Sequence, residues 1–334
     1  GIVFNEINRK KGVHEHLIKF IIRDDKYEQA EIKRNIHALM GKTSIIFGSF
    51  SSDSLYAIPE KSFNDLLILF PNAGASKFRN AKFSSLFFFR PSTKEEIKAL
   101  VQYAINVLFK RKIAILYEDS YWGIDGMKTA KAYIKSLGKE TVECVASASY
   151  LRNTVNVENA ASTISKTNPE AIICISHYRP TYSFIKQMLN KGYQKTSFLG
   201  VSEPALIQEY LKRSRGISLI SSSIVPNPWK SELPIARDYR KAMKTYLPNL
   251  KLSTISFEGY INARLFVETL KKITPPKKNK TPIKTQLNNY TNHGQPYRVQ
   301  LEIIPVLDDF GNLTNFIAIE RDISETKKTQ EELA

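Results

Sequence analysis

The chain of 334 residues is 42% hydrophobic and 24% charged, enough to bury a sizeable core and too apolar for global disorder. At about 150 residues per domain, that length predicts two domains or one large two-lobed body. The formal charge of +17 arises from 49 basic against 32 acidic residues, but the basic ones are dispersed and accompany no stacking motif or DNA-reading helix, so nucleic acid is not an expected partner.

Residues 276–334 balance 8 basic against 8 acidic side chains, so the excess charge lies upstream of them. No apolar run approaches the roughly 18 residues of a membrane span. The chain opens on Gly1 and meets Asn5, Glu6 and Asn8 at once, which is no signal-peptide pattern. Two cysteines, Cys144 and Cys174, exclude a disulfide scaffold and a multi-cysteine zinc site.

Residues 1–273 alternate short apolar runs with longer stretches of helical period. Strands are expected at Ser44–Gly48, Leu66–Phe70, Leu86–Arg90, Lys112–Tyr117, Thr141–Ala146, Ala171–Ser176, Ser197–Val201 and Ile217–Val225. Ala171-Ile172-Ile173-Cys174-Ile175 is apolar throughout, as in strands covered by helices on both faces. Ser92-Thr93-Lys94-Glu95 opens a helix whose buried stripe is Ile97, Leu100, Val101, Ala104 and Leu108. Further helices run from Gly123 to Leu137, ended by Gly138, from Thr181 to Lys191, ended by Gly192, and from Ser256 to Lys271.

Repeated strand–helix units imply right-handed crossovers and parallel sheets, an α/β fold. Arg90-Pro91 and Val225-Pro226-Asn227-Pro228 read as exits between two bodies, so the eight strands should form two sheets. We expect lobe one to hold 1–90 and 250–273, and lobe two 91–249. Residues 274–284, rich in Pro and Lys, read as a linker. Beyond it the period becomes alternating: a β-hairpin turning at Asp308-Asp309-Phe310-Gly311-Asn312, then a charged helix over Glu325–Ala334.

Few motifs suggest bond-breaking chemistry. Gly41-Lys42-Thr43 lacks the glycine a phosphate loop needs at position 36, where Ile36 stands. His14 and His16 could approach one metal from a strand, but no carboxylate or cysteine accompanies them. Asp24-Asp25 would point apart on a strand end, against a general acid/base pair. No cofactor, metal or catalytic constellation is expected, which favours a non-catalytic binding protein over the alternative, an enzyme on a similar α/β scaffold.

The informative feature is a series of loops at the carboxyl ends of strands, where open α/β sheets bind ligands. Ser51 and Ser52 offer hydroxyls at a helix start, suited either to a ligand carboxylate or to an ordinary N-cap. Pro71-Asn72-Ala73-Gly74-Ala75 is small enough to bring backbone against a ligand. Glu118 to Gly123 supplies an aromatic wall, His177-Tyr178 and Ser202-Glu203 follow two further strands, and Glu203 could pair a ligand ammonium.

Phe4-Asn5-Glu6-Ile7-Asn8, Arg23-Asp24-Asp25-Lys26-Tyr27, Ile46-Phe47-Gly48-Ser49, Tyr117-Glu118-Asp119-Ser120-Tyr121-Trp122-Gly123 and Phe257-Glu258-Gly259-Tyr260-Ile261-Asn262-Ala263 stand in an order and spacing that resembles the type 1 periplasmic binding proteins of the branched-chain amino-acid and amide class. The resemblance covers 1–273. It implies two lobes closing without catalysis on a small amino acid or amide, a periplasmic location, and an ABC permease or a downstream kinase or cyclase module as partner. By position it implies that Ser51 or Ser52, Ala73 and Gly74 hold a carboxylate, that Trp122 and Tyr178 are second-lobe aromatics, and that Glu203 meets an ammonium.

Gly294-Gln295-Pro296-Tyr297, Ile304-Pro305-Val306, Asp309-Phe310-Gly311-Asn312-Leu313-Thr314 and Arg321-Asp322-Ile323-Ser324-Glu325 are similar to the C-terminal half of a PAS domain, which implies a sensor role for 285–334. The first strand of the binding family and the helical half of the PAS fold have no counterpart. The chain is therefore expected to be a shortened or internally deleted relative of a receptor-type sensor, with a less stable first lobe.

Overall fold

The computed structural model describes residues 1–40, 42–43, 45–48, 51–64, 66–202, 217–273, 283–290, 296–307 and 313–322. Its elements in chain order are α1 (Ile2–Arg9), α2 (Gln29–Leu39), β1 (Ile45–Phe47), α3 (Ser52–Tyr56), β2 (Leu67–Leu69), β3 (Leu86–Phe87), α4 (Thr93–Asn106), β4 (Lys112–Asp119), α5 (Tyr121–Ser136), β5 (Glu143–Leu151), α6 (Glu158–Ser165), β6 (Ala171–Ile175), α7 (Tyr178–Asn190), β7 (Ser197–Gly200), β8 (Ile220–Ser221), α8 (Pro234–Tyr246), α9 (Thr254–Lys272), β9 (Ile283–Tyr290), β10 (Pro296–Leu307) and β11 (Leu313–Asp322). The expected strands of 1–273 form two parallel sheets, ordered β1-β2-β3 and β5-β4-β6-β7-β8.

The larger sheet shows why its strands read as unbroken apolar runs. Ile113 and Ile115 of β4, with Ile173 and Ile175 of β6, pack against α4 and α5. Their alternates Ala114, Leu116, Ile172 and Cys174 pack against α6 and α7. Both faces are covered, so both sets of side chains must be apolar. A fully buried Ile contributes about 1.5–3 kcal/mol relative to an exposed one. The capping box of α4 forms as expected: Glu95 N donates to Ser92 Oγ, and the Glu95 carboxylate accepts from Ser92 N.

The smaller sheet is covered on one face by the core around Leu55, Phe63 and Phe78, against which Ile46 and Phe88 pack. On the other, Phe47 and Phe89 join α1, α8 and α9 through Phe4, Tyr239, Phe257 and Val267. This corrects the lobe boundary. Residues 91–249 were expected together in lobe two, but Val225, Ala236, Tyr239 and Met243 are drawn into the core of α1 and α9 because the apolar face of α8 has its match there. The chain thus leaves the first lobe after Arg90 and is back in it by Val225.

Several expectations are revised. The helix expected from Thr181 starts at Tyr178, since Pro180 in its first turn has no N–H to lose. The strand expected to stop at Ala146 runs to Leu151. His14 and His16 lie on a tight turn closed by a Val13–His16 bridge instead of a strand, and His16 Nδ1 meets the His14 carbonyl oxygen at 2.9 Å. Asp24 and Asp25 end no strand; their carboxylates accept from the N–H groups of Lys26 and Tyr27 at 2.8 and 2.9 Å, shaping a turn.

The C-terminal segment forms an antiparallel sheet of three strands ordered β11-β10-β9, where a two-stranded hairpin was expected. Its first strand begins within the expected linker, at Ile283. The helix expected over 325–334 lies outside the described residues.

Candidate functional site

Loops following the carboxyl ends of β1, β2, β4, β5 and β6 meet where the two lobes face each other. Ser51 is the N-cap of α3, its hydroxyl accepting from Ser54 N at 3.3 Å. Ser52 Oγ accepts from Ala75 N at 3.1 Å and so ties α3 to the loop after β2. Gly74 in that loop accepts from Thr93 N at 2.9 Å across the lobe boundary. A side chain at position 74 would place Cβ 1.9 Å from Thr93 Oγ1, so only glycine permits this approach. Trp122 Nε1 donates to the same Thr93 oxygen at 3.1 Å. Ser51, Ser52, Ala73, Gly74 and Trp122 are thereby gathered in one buried place.

The remaining two candidates behave differently. Tyr178 packs against the core under α6 and α7, and its neighbour His177 takes the position across from Trp122, with ring centroids 5.4 Å apart. Glu203 lies outside the described residues. Ser202, beside it, donates its N–H to Glu96 at 2.7 Å.

Around this place sits a buried polar cluster, of which Glu118 and His177 were picked out in strand-end loops and Tyr27 was named only within a motif of the resemblance. Glu118 is 1% exposed and accepts from Tyr27 Oη at 2.8 Å and from Tyr150 Oη at 3.3 Å. His177 Nε2 lies 3.6 Å from the Glu118 carboxylate, and His177 N donates to Tyr150 Oη at 3.3 Å. Asp53 of α3 pairs with Arg152 just beyond β5 at 3.0 Å. Arg152 also donates to the Tyr27 carbonyl at 2.7 Å and lays its guanidinium 3.9 Å from the centre of the Tyr27 ring. Tyr27 is thus held by both sides: its phenol by Glu118, its backbone and ring face by Arg152.

The electrostatics follow from burial. Asp53 is raised from its ordinary value, chiefly by desolvation, with Arg152 opposing and Glu118 adding to the rise. The Tyr27 and Tyr150 phenols are pushed up by burial first and by the Glu118 charge second. The cluster is therefore buried and polar, with the carboxylates of Asp53 and Glu118 set against the single guanidinium of Arg152. Among the described residues no group of three or more His, Cys, Asp or Glu is placed to hold a metal ion. No described helix is long and apolar enough to cross a membrane.

Asp53 was passed over within Ser52-Asp53-Ser54 because the serines drew the carboxylate argument. Arg152 was passed over because the preceding strand was expected to end five residues earlier. Its place after a carboxyl strand end is the same signal that picked out the other loops.

Comparison with known proteins places these features in a family. Residues 2–294 match the family described as "Periplasmic binding protein". The Leu/Ile/Val-binding protein homolog 7 of Brucella melitensis is 21% identical over 291 residues, covering 81% of this chain and 71% of that one. A possible leucine/isoleucine/valine-binding protein from Rhodopirellula baltica superposes with a TM-score of 0.74 at 22% identity, over 95% of this chain and 89% of that one. A substrate-binding periplasmic protein from Ralstonia solanacearum gives 0.72 at 23% identity, over 82% and 78% of the two chains.

Proposed function

The chain belongs to the periplasmic binding protein family, and from that premise we propose that it binds a small amino acid or amide between its lobes and releases it unchanged. The observation that carries this reading is that five strand-end loops, from both lobes, are linked to one another: Gly74 and Trp122 through Thr93, Ser52 with Ala75, His177 with Trp122, and Arg152 with Asp53. Ser51 and Ser52 serve the carboxylate in this reading. Each already accepts one backbone N–H; the Ser52 O–H is left to donate, and Ser51 Oγ shares a further contact of 3.3 Å with Ser54 Oγ, which can take the donor role there and leave the Ser51 O–H to the ligand. Trp122 walls the apolar part of the ligand, with His177 facing it and Tyr178 at the rim, and the ammonium, with three N–H donors, is met by carboxylate from more than one side, Glu203 being the sequence candidate for one of them. The names of the Brucella and Rhodopirellula relatives favour a branched aliphatic amino acid among the possible ligands.

The same reading puts the protein in the periplasm, delivering its ligand to an ABC permease. The motifs at 294–325 favour a sensor alternative, in which 285–334 is the end of a PAS module and passes the signal to a kinase or cyclase. The three antiparallel strands are compatible with that alternative.

A thermal-shift screen of amino acids, amides and short carboxylates, followed by calorimetry, tests the binding reading. Saturable stabilisation is expected to scale with ligand concentration over dissociation constant, and Trp122→Ala and Glu203→Ala should weaken it by about tenfold or more. Recovery of chemically altered ligand after incubation would instead make the protein an enzyme.

A further inference from the structure

Arg152 and Asp53 come from different lobes and differ in how firmly they are held. The Asp53 side chain is fully enclosed on α3, whereas the Arg152 side chain retains 14% exposure and springs from a turn where Asn153 takes a positive φ of 57°. The arginine thus has a side open to solvent, and the carboxylate has none. What the guanidinium finds is a carboxylate oxygen at 3.0 Å, a carbonyl oxygen at 2.7 Å and an aromatic face at 3.9 Å. Each of these prefers a cation, and the two oxygens match the two N–H edges of a planar guanidinium.

Resting on the binding reading above, we propose that Asp53, with the Tyr27 carbonyl and ring, is a cation subsite for the ligand's guanidinium or ammonium group, which Arg152 occupies as a displaceable internal stand-in. Charge sets the class of ligand. Glu118 lies on the far side of Tyr27, bonded to its phenol, and its charge acts on Asp53 as well. Withdrawing Arg152 without a substitute would leave the buried Asp53 carboxylate under the influence of the Glu118 charge with its cation gone, and an anionic group in its place would make a third negative charge. A monocation restores the balance. The cationic end of a zwitterion does the same, and its carboxylate is then left to the hydroxyls of Ser51 and Ser52. Aliphatic groups without a cationic end gain nothing here.

The test uses the full chain with agmatine, ethylguanidinium, propylamine, leucine and acetate as probes, read by thermal shift and calorimetry on the wild type, Arg152→Ala, Asp53→Asn and the double variant. Arg152→Ala should unfold at a lower temperature than the wild type. Agmatine and ethylguanidinium should restore it, binding about tenfold or more tightly than they bind the wild type, where the resident arginine competes. The double variant should lose that rescue. Acetate should give none. An Arg152→Ala protein that folds but responds no better to guanidinium probes than to acetate overturns the proposal.

If Arg152→Ala does not fold, the wild type decides. Millimolar ethylguanidinium should stabilise it and speed solvent exchange of the Arg152 Nε–H signal in NMR, and absence of both effects overturns the proposal. Tight leucine binding unaffected by Asp53→Asn would sink the cation subsite and leave the binding function standing. No response to any probe in any variant would sink both.

Discussion

Arg90 and Glu258 form a two-pronged ion pair, Nε to Oε1 at 3.0 Å and Nη2 to Oε2 at 2.9 Å, with both side chains at most 7% exposed. It fastens the chain, just where it leaves the first lobe, to the first turns of α9. Removing one partner strands the other as a buried charge, so Glu258→Ala should cost about 3–5 kcal/mol in urea unfolding. Replacing both, as in Arg90→Met with Glu258→Leu, should cost clearly less than the sum of the single changes. Additive losses would show that the two side chains act independently.

Two glycines should be intolerant of alanine and a third should gain from it. A Cβ on Gly123 would lie 2.0 Å from the Glu118 carbonyl oxygen, and one on Gly74 would meet a Thr93 hydroxyl already engaged by Trp122. Alanine at either position should cost about 1–3 kcal/mol or more through forced backbone movement. Gly259, inside α9 with nothing within 4 Å, should accept alanine and gain about 0.5–1 kcal/mol. Chemical denaturation of the three variants tests the ordering.

Glu96 predicts a pH dependence. Burial raises its carboxyl above the ordinary value, opposed by the Ser222 hydroxyl, the Ser202 N–H and the Arg90 charge. The folded state therefore favours the protonated form more than the unfolded chain does. Its contribution to stability is fullest below the unfolded pKa of about 4.3, falls as pH climbs through the raised folded value, and is level above it. Glu96→Gln should gain on the wild type as pH rises from about 4 towards neutrality. A wild-type-minus-variant difference that is flat across that range would contradict this.

The lobes should exchange amide hydrogens at different rates. The larger sheet buries both faces of β4 and β6, with Ile113, Ile115, Ile172 and Ile173 all at 0% exposure. The smaller sheet has strands of only two or three residues, and Ile45 of β1 is 37% exposed. Amides of β4 and β6 should outlast those of β1 and β2 in native-state exchange. Equal protection would refute this ranking.

Most of the architecture was legible because the parallel strands are apolar on both faces and the helices carry ordinary caps, as Ser92 with Glu95 illustrates. Three things escaped. α8 was placed in the wrong lobe because the boundary was set at 249 although Val225-Pro226 already read as an exit, and its packing against Phe257 and Tyr260 shows its allegiance. β5 outran its expected end because Ser147, Ser149 and Tyr150 are not apolar enough to announce a strand on pattern alone. The union of Tyr27, Asp53, Glu118 and Arg152 spans well over one hundred residues of sequence, a separation no local motif can encode.

The return of α8 and α9 to α1 also bears on how the polypeptide is made. The two cores of the larger sheet draw only on residues between Ile97 and Ile220, an uninterrupted stretch that can condense as soon as it has left the ribosome. The α1 core cannot, because Val3 and Phe4 wait for Tyr239, Phe257 and Val267. A nascent chain halted before those residues would carry a finished second lobe behind an unfinished first one, with the apolar face of α1 bare for the whole interval. That interval, more than any weakness in the completed fold, is when the protein is most open to aggregation or to capture by a chaperone.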